Sequence, residues 1–171
     1  VIANADATES HTLTGRFRYN SSMSFALQVP FRIKFCGFRR PEDVEAAISA
    51  GADAIGINFF PNSPRFLEPE RAANLAKLGR GRVRVVGVFV NASVDTIRDT
   101  LRICPLDFIQ LHGDEIPEHA MEPGLPPVIK AIPWREASTE DAAIAKSWND
   151  QADRTHLAGF LSIFFQSWPP P

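Results

Sequence analysis

From Phe31 onward, short apolar or β-branched runs alternate with stretches in which apolar residues recur every three or four positions. The first pattern reads as strand and the second as amphipathic helix. Strand candidates are 32–36 (RIKFC), 54–60 (AIGINFF), 84–90 (RVVGVFV), 107–111 (DFIQL), 128–132 (VIKAI) and 158–164 (AGFLSIF). Several are continuously apolar, as expected when helices cover one face of a sheet and a packed interior the other, so the sheet should be parallel.

The intervening helices have legible ends. Pro41 stands at a first-turn position, followed by Glu42 and Asp43 where negative charge suits the helix dipole; Val44, Ala47 and Ile48 share a face, and Gly51 supplies a stop. Pro69, Glu70, Leu75, Leu78 and Gly79 repeat that grammar. A third helix, capped by Asn91 or Ser93, carries Val94, Ile97 and Leu101. Pro117 marks a short fourth, and 139–148 a fifth. Strand starts recur every 20 to 30 residues or so, the repeat of a β/α unit with right-handed crossovers. Doubly wound sheets and closed eight-unit barrels share this repeat. The sequence Cys36-Gly37-Phe38 stands after the first strand in place of G-x-G-x-x-G, which weakens a dinucleotide-binding reading.

Composition narrows the classes. The 171 residues, 44% hydrophobic and 22% charged, suit one domain, and a formal charge of -2 without a basic stripe argues against a nucleic-acid partner. The apolar run 157–165 is far shorter than the roughly 20 residues of a membrane span, so no membrane association is expected. Two cysteines, Cys36 and Cys104, make no disulfide framework and fit a reducing, cytoplasmic setting. The first 22 residues lack a helical period or an apolar leader core; residues 1–30 are expected to form a mobile tail, with 31–171 as the domain.

In either architecture the working end lies at the carboxyl ends of the strands. Those ends carry Cys36-Gly37, Asn62-Ser63-Pro64-Arg65, Asn91, Gln110-Leu111-His112-Gly113-Asp114 and Lys130. Taken in order, KFCG, GADAIGINFFPNSPR, VVGVFVNAS, IQLHGDE and VIKAI resemble the phosphoribosylanthranilate isomerase family of tryptophan biosynthesis, over Arg32 to about Ile132. The resemblance implies a (β/α)8 TIM barrel. It also implies a cofactor-free and metal-free Amadori rearrangement of N-(5-phosphoribosyl)anthranilate to the carboxyphenylamino-deoxyribulose phosphate.

The same resemblance makes Cys36 the base that removes the sugar C2 proton. A free thiol ionises near pH ~8.5 and is only about 3% thiolate at pH 7, so such a site must favour the thiolate through cations or a helix amino end. Lys34 is close in sequence, but alternation along the strand counts against its direct help. Arg65 matches the arginine that clamps the anthranilate carboxylate, a task for a planar guanidinium. His112 matches a pocket-lining histidine. Asn91 and Lys130 are candidates to polarise or shape the pocket, Asn91 alternatively a helix cap. Cys104 is expected to pack.

The resemblance also implies an acidic aspartate at the end of the sixth strand, where Leu161-Ser162-Ile163 stands instead, and two later strands with phosphate-binding glycine loops. The expectation is therefore an incomplete barrel of about five β/α units and a sixth strand, C-terminally truncated or frameshifted, with negligible isomerase activity alone. Its rivals are another phosphosugar barrel enzyme, a non-catalytic half-barrel that assembles with a partner, and a Rossmann-type module.

Overall fold

The computed structural model describes residues 2–3, 31–133, 139–151 and 157–163. Its strands are β1 (Ile2–Ala3), β2 (Ile33–Cys36), β3 (Ala54–Asn58), β4 (Arg84–Phe89), β5 (Phe108–Leu111), β6 (Val128–Pro133) and β7 (Leu157–Ile163). Between them lie α1 (Pro41–Ser49), α2 (Pro69–Gly79), α3 (Val94–Ile103), a 3-10 turn at Pro117–Met121, and α4 (Thr139–Asp150). Each sequence-predicted strand is present within a residue or two, and the short fourth helix is the 3-10 turn.

The strands form one sheet in unbroken chain order, β1 to β7, with every pair from β2 to β7 parallel. That order separates the two architectures periodicity left open. A doubly wound sheet reverses its strand order at a switch point, whereas a barrel winds in one direction and keeps its helices on one face. Burial agrees with the second arrangement. Val44, Leu75, Ile97 and Trp148 from the four helices share a core with Ile55, Val85, Ile109 and Val128 from the strands. The opposite, interior face holds a smaller cluster of Phe31, Ala54, Val86 and Ile129, with Phe108 packed against it. The described residues thus form six parallel strands of a (β/α)8 arc. β1 pairs antiparallel with the free side of β2, Ile2 opposite Lys34. Residues 4–30, the rest of the expected tail, lie outside the described residues.

Local chemistry explains the boundaries. Pro41 and Pro69 open their helices in the first turn, where a missing N–H is harmless. Ser93 caps α3, accepting from the Thr96 N–H at 3.1 Å. Asn91 stands two residues earlier in a left-handed conformation, φ 50°, so Ser93 and not Asn91 is the cap. At the amino ends of the strands Asp53 Oδ2 accepts the N–H groups of Arg32 and Ile33, each at 2.9 Å, and Asp107 Oδ2 accepts that of Val85 at 2.7 Å. These backbone bonds hold the Asp53 carboxyl below the usual carboxylate range. An aspartate just ahead of one strand so anchors the start of its neighbour, which fixes where the opposite, carboxyl ends stop. No helix among the described residues is long and apolar enough to cross a membrane.

Candidate active site

The carboxyl ends of β2, β3 and β5 converge on one rim. Cys36 ends β2 and is exposed, while Gly37 turns the chain with φ 86°. The Gly37 N–H donates to the Gly56 carbonyl of β3 at 2.9 Å. Arg65 lies directly over this corner: a Cβ on Gly37 would come within 2.2 Å of Arg65 Cδ and 3.0 Å of its Nε. Glycine is required there both by the backbone angle and by the arginine.

The loop after β3 is folded by side chains to which the sequence alone assigns no role. Asn58 Oδ1 accepts the Phe60 N–H at 2.8 Å, and Asn58 Nδ2 donates to the buried Ser63 Oγ at 3.2 Å. Ser63 Oγ in turn accepts the Arg65 N–H at 3.1 Å, and Arg39 Nη1 donates to the Pro64 carbonyl at 3.1 Å. The arginine's backbone is therefore fixed while its guanidinium remains exposed.

Behind Cys36 runs a chain of hydrogen bonds. Lys34 Nζ donates to Cys36 Sγ at 2.5 Å and to Gln110 Oε1 at 2.9 Å. Gln110 Nε2 lies 3.1 Å from His112 Nδ1; an amide nitrogen only donates, so the neutral imidazole carries its proton on Nε2. Burial pushes the His112 imidazole below its ordinary value, Lys34 and Lys130 add to that, and Glu115 opposes it. Residues two apart on a strand point to the same face, and Lys34 and Cys36 do. Alternation along the strand therefore does not count against the direct help of Lys34.

Lys130 is corrected as well. It projects to the helical side of the sheet, where its Nζ donates to Glu115 Oε2 at 2.8 Å and to the Gly113 carbonyl at 2.5 Å, above the Trp148 ring. Glu115 also accepts the Asn91 N–H at 2.8 Å and the Gly113 N–H at 2.9 Å, and Asn91 Oδ1 accepts the Asp114 N–H at 2.7 Å. Asn91 and Lys130 thus brace the loops after β4 and β5 from behind. Glu115, the hub of that brace, carried a signal the sequence reading passed over: a carboxylate three residues after His112 among glycine and aspartate. Cys104 is fully buried at the end of α3, and burial pushes its thiol up to about 11, as expected for a packing residue. A cavity of about 450 Å³ bordered by Asp53, Arg82, Arg84 and Asp107 lies at the amino ends of the strands, away from this rim.

The rim thus gathers a thiol beside an ammonium, an exposed guanidinium and a neutral imidazole on an arc of parallel strands. Residues 33–157 match the family model described as N-(5'phosphoribosyl)anthranilate (PRA) isomerase. The chain belongs to that isomerase family. It is 47% identical over 130 residues to the N-(5'-phosphoribosyl)anthranilate isomerase of Myxococcus xanthus, covering 76% of this chain and 58% of that protein. It is 40% identical over 139 residues to the isomerase of Acinetobacter calcoaceticus, covering 81% and 63%. Among solved structures it resembles a phosphoribosyl anthranilate isomerase in complex with reduced 1-(o-carboxyphenylamino)-1-deoxyribulose 5-phosphate, with TM-score 0.69 and 31% identity over 80% of this chain and 66% of that one. The chain spans about three fifths of the length of these two curated isomerases. Family membership and barrel fold agree with the ordered sequence blocks, and they exclude the Rossmann-type alternative.

Proposed function

We propose that this chain supplies the base and the carboxylate clamp for the isomerisation of N-(5-phosphoribosyl)anthranilate. The observation that carries the proposal is the joint placement of Cys36, Gly37 and Arg65, with the arginine stem packed on the glycine next to the thiol. In the reaction, protonation of the ribose ring oxygen opens the sugar to a protonated Schiff base. Removal of the C2 proton by the Cys36 thiolate then sends the C2–H electron pair toward the nitrogen, and the resulting enaminol tautomerises to the ketose. Arg65 pairs with the anthranilate carboxylate through parallel N–H groups, which positions C2 over the sulfur. His112 lines the pocket with its Nε2–H. The strand segment Leu157–Ile163 contains no aspartate to protonate the ring oxygen.

Reduced 1-(o-carboxyphenylamino)-1-deoxyribulose 5-phosphate, a ligand of the solved relative, is the probe for this reading. The chain is expected to bind it in a fluorescence titration. Arg65→Ala should weaken binding about 10- to 100-fold, as the loss of charge-assisted hydrogen bonds worth roughly 1.5–3 kcal/mol. Absence of binding, or binding indifferent to Arg65, overturns the clamp. Turnover of the chain itself should lie at least ~100-fold below that of its relatives for want of the acid, and Cys36→Ser should remove what remains. A rate near that of a full-length relative would overturn that expectation.

A further inference from the structure

Two buried lysines serve this sheet, each 2% exposed. Lys130 has the Glu115 carboxylate at 2.8 Å. Lys34, among the described residues, has no carboxylate partner; its Nζ contacts are the neutral amide oxygen of Gln110 and the sulfur of Cys36. A buried ammonium is stable only when its charge is compensated nearby. Among the described residues, the acidic group in contact with Lys34 is the Cys36 thiol. β3 leaves space for the pair by having no side chain at Gly56, where a Cβ would lie 2.5 Å from Cys36 Sγ and 3.1 Å from Lys34 Nζ. The other groups facing the sulfur's surroundings are Arg65 across Gly37 and His112 through Gln110, and neither supplies a negative charge.

We propose that Lys34 is a positioning residue that holds Cys36 as the thiolate, in a lysine–thiolate pair seated against Gly56 and tethered by Gln110. The thiol proton passes to solvent and the ammonium keeps its hydrogens, two of them directed at Sγ and Oε1. As a step in catalysis this rests on the reading of Cys36 as the base; as a property of the thiol it stands on the geometry alone. The arrangement keeps the base ionised before substrate arrives, and Gln110 keeps the ammonium from swinging out to solvent. Extended to His112, the same tether links the base on β2 to the imidazole just after β5.

The experiment is iodoacetamide alkylation of the intact 171-residue chain at pH 6.5, with modification at Cys36 and Cys104 read separately by peptide mass spectrometry. An isolated thiol is only about 1% thiolate at that pH. Cys36 in the folded chain is expected to react about tenfold faster than in the same chain unfolded by denaturant, while buried Cys104 reacts only on unfolding. Lys34→Met should bring the folded rate down to the unfolded one, and Lys34→Arg should retain most of the acceleration. Equal rates in the folded and unfolded wild type would overturn the proposal, as would a folded Lys34→Met chain that reacts as fast as wild type. If Lys34→Met does not fold by circular dichroism, the folded-against-unfolded comparison of the wild type decides. The assay uses no substrate, so its failure leaves the isomerase reading standing, and a failure of analogue binding leaves the lysine–thiolate pair untouched.

Discussion

Lys34 and Lys130 occupy opposite faces of the same parallel sheet, equally buried and differently completed. On the helical face, Lys130 meets a carboxylate that also gathers the Asn91 and Gly113 N–H groups, so every charge in that cluster is matched within the folded chain. On the interior face, Lys34 meets an amide oxygen and a thiol at the exposed rim. The contrast separates a brace from a tool. A buried ion pair that is fully hydrogen-bonded does structural work and has nothing left to offer a ligand. A buried cation whose acidic contact among the described residues is a thiol is placed, on the proposal above, to hold a thiolate.

The largest expected effect tests the brace. Glu115→Gln keeps the shape and removes the charge, leaving Lys130 buried without its counter-ion among the described residues. It should destabilise the chain by about 3–5 kcal/mol in chemical denaturation. Lys34→Met takes away one donor from Gln110 and removes the buried charge itself, so its cost should be no more than about 1–3 kcal/mol. Equal losses for the two variants would break the distinction.

Much of this architecture was legible in the chain. Prolines at 41 and 69 marked helix starts, the unalternating strands 54–58 and 84–89 announced a sheet covered on both faces, and the polar strand ends pointed to the rim. The directions of the two lysines were legible only in part. Lys34 and Cys36 are two apart on one strand, so their common face follows from the pleat alone, and alternation counts for the pair and not against it. Lys130 sits in VIKAI, apolar on both sides, where no alternation tells the interior face from the helical one. That assignment needs the β5–β6 register, Gln110 opposite Ile129 and Leu111 opposite Lys130, which only the assembled sheet supplies. Asn58 and Ser63 were hidden for a different reason. Their work is to fold a loop back on itself, and a polar residue in a loop gives no sign of its partner.

Two glycines offer a smaller and more local test, because each leaves room for one of the two clusters. A Cβ at Gly113 would stand 2.3 Å from Asn91 Oδ1 and 2.9 Å from the Asn91 backbone nitrogen. Backbone cannot step aside, so Gly113→Ala should lower stability by about 1–3 kcal/mol, the usual range for overpacking. At Gly56 the nearest atoms are the ends of the Cys36 and Lys34 side chains. Gly56→Ala should therefore cost less in denaturation and instead separate Sγ from Nζ, lowering the Cys36 alkylation rate toward that of the unfolded chain. A Gly56→Ala chain with unchanged thiol reactivity would show that the pair tolerates displacement.

The smallest effect is also the one that reads both clusters at once. His112 feels Lys34 and Lys130 pushing its imidazole toward the neutral form, in addition to burial, while Glu115 pulls the other way. Followed by NMR, its titration midpoint should lie below the ~6.5 of an unperturbed histidine. Lys34→Met should raise that midpoint and Glu115→Gln should lower it further, so variants on the two faces move one reporter in opposite directions. The sign carries over to stability. Because the fold favours the neutral ring, the His112 contribution is fully present above the unfolded value near ~6.5 and declines as the pH falls toward the folded value. The loss of stability on acidification from pH 7 should accordingly be shallower in Lys34→Met and steeper in Glu115→Gln. Midpoints unmoved by both substitutions would mean that the imidazole is governed by burial alone, and shifts in the same direction would mean that the two lysine clusters act on it as one environment.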